Sequence, residues 1–258
     1  FDLFNDHVKI DFSAKYVNQH ITNQPAGGYV FNPLVGVYTF PRGADWDGYK
    51  NNFEVFNGAM NTYVQNWVTT TDETNSNPYW LLNRERPIVE RNRYEFGGSI
   101  KYEIIEGLSL TGRMRYERAD EHYVRNHYAS SYGNKYTMGK LDDNRYFSEQ
   151  LYADILAQYE HAWGDFSLNV TAGSSMTRTQ SNNVSLLYEK NEFKSPGDGS
   201  AYFPNVFDPK NYYENGASLG LTRKRLNSVF GTATFGFKEG LFIDVTARND
   251  WSSDRKSV

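Results

Sequence analysis

Apolar and polar residues alternate with period two along seven stretches of this chain, the pattern of strands whose two faces meet different surroundings. In FGTATFGFKEGLFIDVTARNDWSS (230–253), Phe235 and Phe237 share a face with Leu241, Ile243, Val245 and Ala247. Val229, Gly231 and Ala233 extend that face backwards, while Ser228, Thr232, Thr234, Asp244, Thr246 and Arg248 form the other. The remaining apolar faces run from Val8 to Tyr16, Tyr94 to Ile104, Leu108 to Tyr116, Leu151 to Tyr159 and Phe166 to Ala172, taking every second residue.

Two turns fix the pairing. Ile105-Glu106-Gly107 and Lys238-Glu239-Gly240 read as three-residue hairpin connections whose third position, Gly, takes positive φ. Pairing around the first places Tyr102 opposite Leu110, Ile100 opposite Gly112 and Phe96 opposite Tyr116. Around the second it gives Phe237–Leu241, Phe235–Ile243 and Ala233–Val245 on one face, and Thr234–Asp244, Thr232–Thr246 and Phe230–Arg248 on the other. A slip of one residue would mix the faces.

The other connections, 17–92, 118–149 and 174–226, read as long loops rich in Asn, Tyr, Gly and Pro. Structureless loops of that length are uncommon in compact soluble domains. Outer-membrane barrels alternate short periplasmic turns with long extracellular loops. Tyr102, Tyr159, Trp163, Phe166, Phe235 and Phe237 lie near the short-turn ends, where an aromatic girdle meets the headgroups. Bacterial barrels close with an even strand number, and an open edge in lipid would leave backbone groups unbonded. Seven strands therefore predict an all-β sector of a larger antiparallel transmembrane barrel, with residues 1–258 as part of its barrel domain.

Composition fits a wall that is apolar on one face only. Hydrophobic residues make up 39%, aromatics 16% with 20 Tyr, and the mean hydropathy is −0.70. No run of 18 apolar residues marks a transmembrane helix. A net charge of −4 argues against nucleic-acid binding, which calls for a basic face. The absence of cysteine excludes a disulfide scaffold and a thiolate metal site. The chain starts at Phe1 without a secretory signal and enters a strand almost at once, so an interior piece of a longer protein is expected.

Two stretches carry a family resemblance: LFIDVTARNDWSS (241–253), entered from RKRLNSVFGTATFGFKEG, and NPYWLLNRERPIVERNRYEFGGSIKYEIIEGLSLTGRMRYE (77–117). Both resemble the barrel region of SusC/RagA-type TonB-linked outer-membrane transporters of the Bacteroidetes. In that family a hairpin ends in an Arg-Asn-Asp-Trp-Ser-Ser run, matched at Arg248 to Ser253, and an Asn-Pro-Tyr-Trp segment closes a long outer loop, matched at Asn77 to Trp80. After Ser253 the family turns toward a proline, whereas this chain reads Asp-Arg-Lys-Ser-Val. The resemblance implies a barrel of about 22 strands with an N-terminal plug, energised through TonB and covered by a SusD-like surface lipoprotein. It implies import of oligosaccharides or oligopeptides, with no enzymatic step and no cofactor. No plug, TonB box or carboxypeptidase-like extension is found in these residues.

Candidate contacts follow from the two environments. Glu95, Lys101, Arg113, Arg115, Asp244 and Arg248 fall on the polar face, where they can meet plug or substrate, or form solvated cross-strand pairs. Arg248 opposite Phe230 is a cation–π candidate. In the loops, Trp46, Trp67, Tyr79, Trp80, Tyr132, Tyr202 and Tyr213 offer aromatic faces to sugar rings or peptide side chains, to the lipoprotein, or to one another. His7, His20, His122, His127 and His161 show no paired-ligand spacing. His122 and His127, near Asp120 and Glu121, read as a solvated acidic loop before a metal site. No nucleophile elbow, phosphate loop or dinucleotide fingerprint is present. Two other readings stay open: a passive or structural outer-membrane barrel, and a secreted carbohydrate-binding β-sandwich.

Overall fold

The computed structural model describes residues 2–3, 7–24, 27–69, 74–131, 138–189, 204–208, 214–238 and 240–257. Its strands are β1 (Asp2–Leu3), β2 (Val8–Thr22), β3 (Glu54–Asn57), β4 (Thr62–Gln65), β5 (Ile88–Ile105), β6 (Leu108–His127), β7 (Lys140–Trp163), β8 (Phe166–Glu189), β9 (Glu214–Phe237) and β10 (Leu241–Ser257). Three short helices, α1 (Pro33–Thr39), α2 (Trp46–Asn51) and α3 (Pro78–Arg84), lie between β2 and β5. One eight-stranded antiparallel sheet runs β1-β2-β5-β6-β7-β8-β9-β10, and β3-β4 is a separate hairpin.

All nine predicted cross-strand pairs are present in the two hairpins. The apolar face is continuous across the seven long strands, as in the row Val8, Tyr102, Leu110, Ala157, Ala172, Gly231, Ala247. The turns differ from one another. Gly107 takes φ +80°, and a register irregularity between Glu103 and Ile105 absorbs the extra residue. In the other predicted turn Lys238 takes φ +50°. A third tight turn, Gly164-Asp165, joins β7 to β8 with Gly164 at +58°.

The long loops are shorter than the sequence predicts. Most of 118–149 and 174–226 continues as strand, making β7, β8 and β9 each 24 residues long. A bilayer needs only about 9–11 tilted residues per strand, so these strands project well beyond it. Segment 17–92 is no structureless loop either, since it holds the three helices and the β3-β4 hairpin.

The apolar face is uncovered. Ile243 is 53% exposed, Val245 62% and Leu110 36%, with Phe12, Ile100, Met114, Ile155 and Val229 also exposed, and Leu168 is half-buried. No second sheet lies on this face among the described residues, which removes the β-sandwich. Aromatics bound the band at both ends. Tyr159, His161, Trp163 and Phe166 stack in sequence at the short-turn end, with Phe235 and Phe237 against Phe166. At the far end stand Tyr16, Tyr94, Tyr116 and Trp251, a second ring the sequence reading missed. There the Tyr16 hydroxyl donates to Asn92 Oδ1 (2.7 Å), so ring and hydroxyl straddle the boundary. From Leu241 to Trp251 the strand rises about 33 Å at ~3.3 Å per residue. At a tilt of about 40° that gives a band roughly 25 Å tall, the thickness of outer-membrane hydrocarbon.

This orientation predicts an asymmetry between neighbouring residues. Val245→Arg, near mid-band on the apolar face, should cost about 2–4 kcal/mol in lipid. Thr246→Arg, on the reverse face, should be nearly neutral. Denaturant unfolding of the vesicle-embedded barrel measures both, and equal costs would contradict the orientation.

Candidate functional site

Beyond the upper aromatic ring the strand extensions carry a folded cap on their polar side. Its helices start where Asn-Pro dipeptides dictate. Asn32 and Asn77 accept from the amides of Leu34 and Tyr79, with Pro33 and Pro78 at the first helical position, where a missing N–H costs nothing. Asn77 is completely buried. Its amide nitrogen donates to Tyr49 O (3.0 Å) and Asn66 O (2.8 Å), and its backbone N–H to Gln65 Oε1 (3.0 Å). Trp80, also 0% exposed, donates from Nε1 to Ser131 Oγ at 2.8 Å. Gln65 bonds Ser130 through its backbone N–H and its side-chain amide. Asn205 joins the third loop, accepting from Ala129 N (2.6 Å) and donating to Thr62 Oγ1 (3.0 Å). The Asn-Pro-Tyr-Trp segment therefore ties the first outer loop to the second, and Asn205 ties the third to both.

An aromatic cluster fills the rest of the cap. Phe40 packs against Trp46, Tyr49 and Trp67, and Trp46 also meets Tyr79. Trp67 is buried and donates from Nε1 to Asn75 Oδ1 (2.8 Å). Of the loop aromatics singled out from sequence, Trp67 and Trp80 thus lie inside the cap, while Trp46 and Tyr79 are half-exposed. Tyr132, Tyr202 and Tyr213 lie outside the described residues.

The cap is clamped to the wall at His127, which sequence reasoning treated as part of an acidic loop. Glu85, closing α3, meets His127 Nδ1 at 2.8 Å, Arg125 Nε at 3.3 Å and the Tyr128 N–H at 2.8 Å. On the other side His127 Nε2 lies 2.9 Å from Asp142, whose second oxygen is 3.1 Å from Lys140 Nζ. Burial disfavours the imidazolium, but the Glu85 charge and the hydrogen bonds to Asp142 and Glu85 outweigh it, and the His127 pKa is raised. Burial likewise pushes the Asp142 carboxyl up, and the His127 hydrogen bond and charge, with Lys140, leave it lowered. His122 lies on the opposite face, 2.8 Å from Asp143, so the two histidines cannot share a ligand. No metal-binding cluster occurs among the described residues.

A raised histidine contributes stability that is fully present below its ordinary pKa of about 6.5 and lost as pH rises through the raised value. A lowered aspartate contributes above about 3.9 and loses its share as pH falls through its lowered value. Cap closure should therefore hold firm between about pH 4 and 6.5 and weaken on the alkaline side. Amide exchange across residues 78–89, corrected for intrinsic rate, should rise from pH 6 to pH 9, and His127→Gln should flatten that rise. An unchanged profile in the variant would exclude His127 as the clamp.

Below the cap, the six predicted polar-face residues all share the face opposite the apolar band. Arg113 grips Asp154 with Nε–Oδ1 at 2.9 Å and Nη2–Oδ2 at 2.8 Å, and Tyr152 donates to the same carboxylate. Arg248 donates to Ser228 Oγ (3.0 Å) and Asp250 Oδ1 (2.9 Å) and sits 5.6 Å above the Phe230 ring. Asp244 accepts from Thr234. These three are tied into cross-strand ladders. Glu95 stands opposite Lys15 and Glu117, Lys101 opposite Lys9 and Thr111. Arg115 is exposed opposite Gly97 and Tyr152, and with Lys15, Glu95 and Arg113 it rims a depression floored by Ser13, Gly97 and Ser99.

An apolar band open to its surroundings, two aromatic rings, and a polar reverse face under a loop cap leave one architecture. The chain is a wall segment of an outer-membrane β-barrel. No protein-family model matches its sequence, and no curated protein does. Solved structures match in fold. The RagAB peptide transporter aligns at 15% identity over 73% of this chain and 20% of that chain, with TM-score 0.55. The RagAB peptide importer aligns at 14% identity and TM-score 0.55 in both its closed-closed and open-open states. The alignment covers 75% of this chain in each case, and 22% and 21% of those chains respectively. This chain thus spans about a fifth of the length of the structures it resembles.

Proposed function

We propose that this chain is part of the barrel domain of a TonB-dependent importer. It takes up an oligosaccharide or oligopeptide across the outer membrane with a SusD-like surface lipoprotein. The observation that carries the reading is the folded cap on the polar side of the wall. A passive pore works through an open mouth, whereas a mouth narrowed by a folded cap needs a gated step. Similarity in fold to RagAB, a peptide transporter and importer, favours testing oligopeptides first. Within this reading Trp46 and Tyr79, of the described loop aromatics singled out from sequence, have surface to offer a ligand or the lipoprotein, and Arg115 and Glu95 are polar-face groups that passing substrate or plug would meet. Mechanistically the protein binds and gates, with no bond made or broken.

Uptake of labelled oligopeptide and oligosaccharide pools by a strain lacking the gene, compared with its parent, tests the proposal. Uptake of one pool should fall to background in the deletion strain and equally in a parent lacking TonB. Uptake that persists without TonB would mean a passive barrel instead.

A further inference from the structure

Three arginines stand on the lipid-side face of the wall just outside the apolar band. Arg178 on β8 and Arg225 on β9 are direct cross-strand partners, and Arg223, next outward on that face, is opposite Gln180. One row toward the membrane lie Met176, Asn227 and Trp251, the upper edge of the band. All three arginines are exposed, and none takes part in an ion pair with another described residue. Their partners are neutral: Arg223 Nε donates to Gln180 Oε1 (3.1 Å) and Arg225 Nε to Asn227 Oδ1 (3.2 Å). Leu151, Met176 and Ser253 line the same depression.

The rest of this face at that height is built differently. Arg118 pairs with Asp120 at 3.0 Å, His122 and Arg145 meet Asp143 at 2.8 and 4.0 Å, and His20 meets Glu90 at 3.6 Å. Like charges directly opposite on a sheet destabilise it, and the repulsion grows as lipid replaces water. The carboxylate nearest in register, Glu149, stands across Gln180 beside Arg118 and accepts from the Tyr116 hydroxyl (3.4 Å), so an opposed arginine pair with a third cation beside it calls for an anion from outside. The short-turn end faces the periplasm, so this end lies in the outer leaflet. Guanidinium forks match phosphate oxygens two at a time, and the apolar floor at Leu151 and Met176 continues into the acyl region below. We propose that Arg178, Arg223 and Arg225 bind the phosphate of an outer-leaflet phosphoglycolipid, whose acyl chains lie along Met176 and the band beneath. The site depends on the wall's orientation in the membrane and is independent of what the barrel transports.

Titration of the full-length protein in neutral detergent, followed by native mass spectrometry, tests this with three probes. These are diphosphoryl lipid A, lipid A dephosphorylated with its acyl chains intact, and inorganic phosphate. Charge-assisted bonds predict diphosphoryl lipid A binding about tenfold or more tighter than the dephosphorylated form. Free phosphate should bind far more weakly than the lipid. Replacing all three arginines by glutamine should bring diphosphoryl lipid A down to the affinity of the dephosphorylated form. Equal binding of the two lipids by the unaltered protein overturns the site without any variant, and so does phosphate binding as tightly as lipid. Undiminished discrimination in a folded triple variant would place the phosphate elsewhere.

Discussion

Replacing Trp80 by alanine is expected to unravel the outer cap while leaving the barrel wall folded. Trp80 is wholly buried, packs edge-on against Tyr128 at 6.1 Å, and donates to Ser131, itself 0% exposed. Truncating a buried tryptophan costs about 3–5 kcal/mol. A folded unit of roughly 60 residues holds only about 3–9 kcal/mol at typical per-residue stability, so the loss is comparable to everything the cap has. The wall rests on separate terms, its strand ladders and the lipid around its apolar face. Pulse proteolysis should therefore cut residues 33–84 in the variant at protease levels the parent survives, while the barrel keeps its heat-modifiable mobility on gels. Trp80→Phe, which keeps most of the packed area and loses the hydrogen bond, should cost about 1–2 kcal/mol and leave the cap closed. Parent-like protection of the cap in Trp80→Ala would mean that the three loops are held together elsewhere.

What could be read from the sequence stopped where the hydrocarbon stops. Inside the bilayer one face admits only apolar side chains, so Phe235, Ile243 and Leu110 announce both strand and register. Outside it both faces meet water and the alternation dissolves. On β6 one face continues as Arg118, Asp120 and His122 and the other as Glu117, Ala119 and Glu121, and nothing in that run separates strand from loop. The ends of β6 to β9 were invisible for that reason. The cap was partly legible. Asn32-Pro33 and Asn77-Pro78 are helix-start signals of known mechanism, and reading them would have placed α1 and α3. The clamp was not, because Glu85, His127 and Asp142 come together only when a loop helix folds onto two strands. The second aromatic ring was legible once the register was known, since Tyr16, Tyr94 and Tyr116 have the parity of the apolar face.

Gly107→Ala should impair folding of the wall itself, more than any comparable change in the other two turns. Gly107 holds φ +80°, which costs an L-residue about 1–2 kcal/mol. A Cβ there would sit 2.2 Å from the Glu160 carbonyl oxygen, so β7 must shift or the turn must open. Either movement breaks the bond from Glu160 N–H to Gly107 O (2.8 Å), which joins neighbouring strands at their periplasmic end. Strain, overpacking and the lost hydrogen bond together come to about 3–5 kcal/mol. Gly164 is a useful contrast. It also has positive φ (+58°), but nothing lies within 4 Å of an added Cβ, so Gly164→Ala meets only the conformational term of about 1–2 kcal/mol. Refolding yields of the full-length barrel into lipid vesicles should fall sharply for Gly107→Ala and slightly for Gly164→Ala. If the two variants refold alike, the close approach of Gly107 to β7 is absent from the folded barrel, and the register between β6 and β7 at that end must be redrawn.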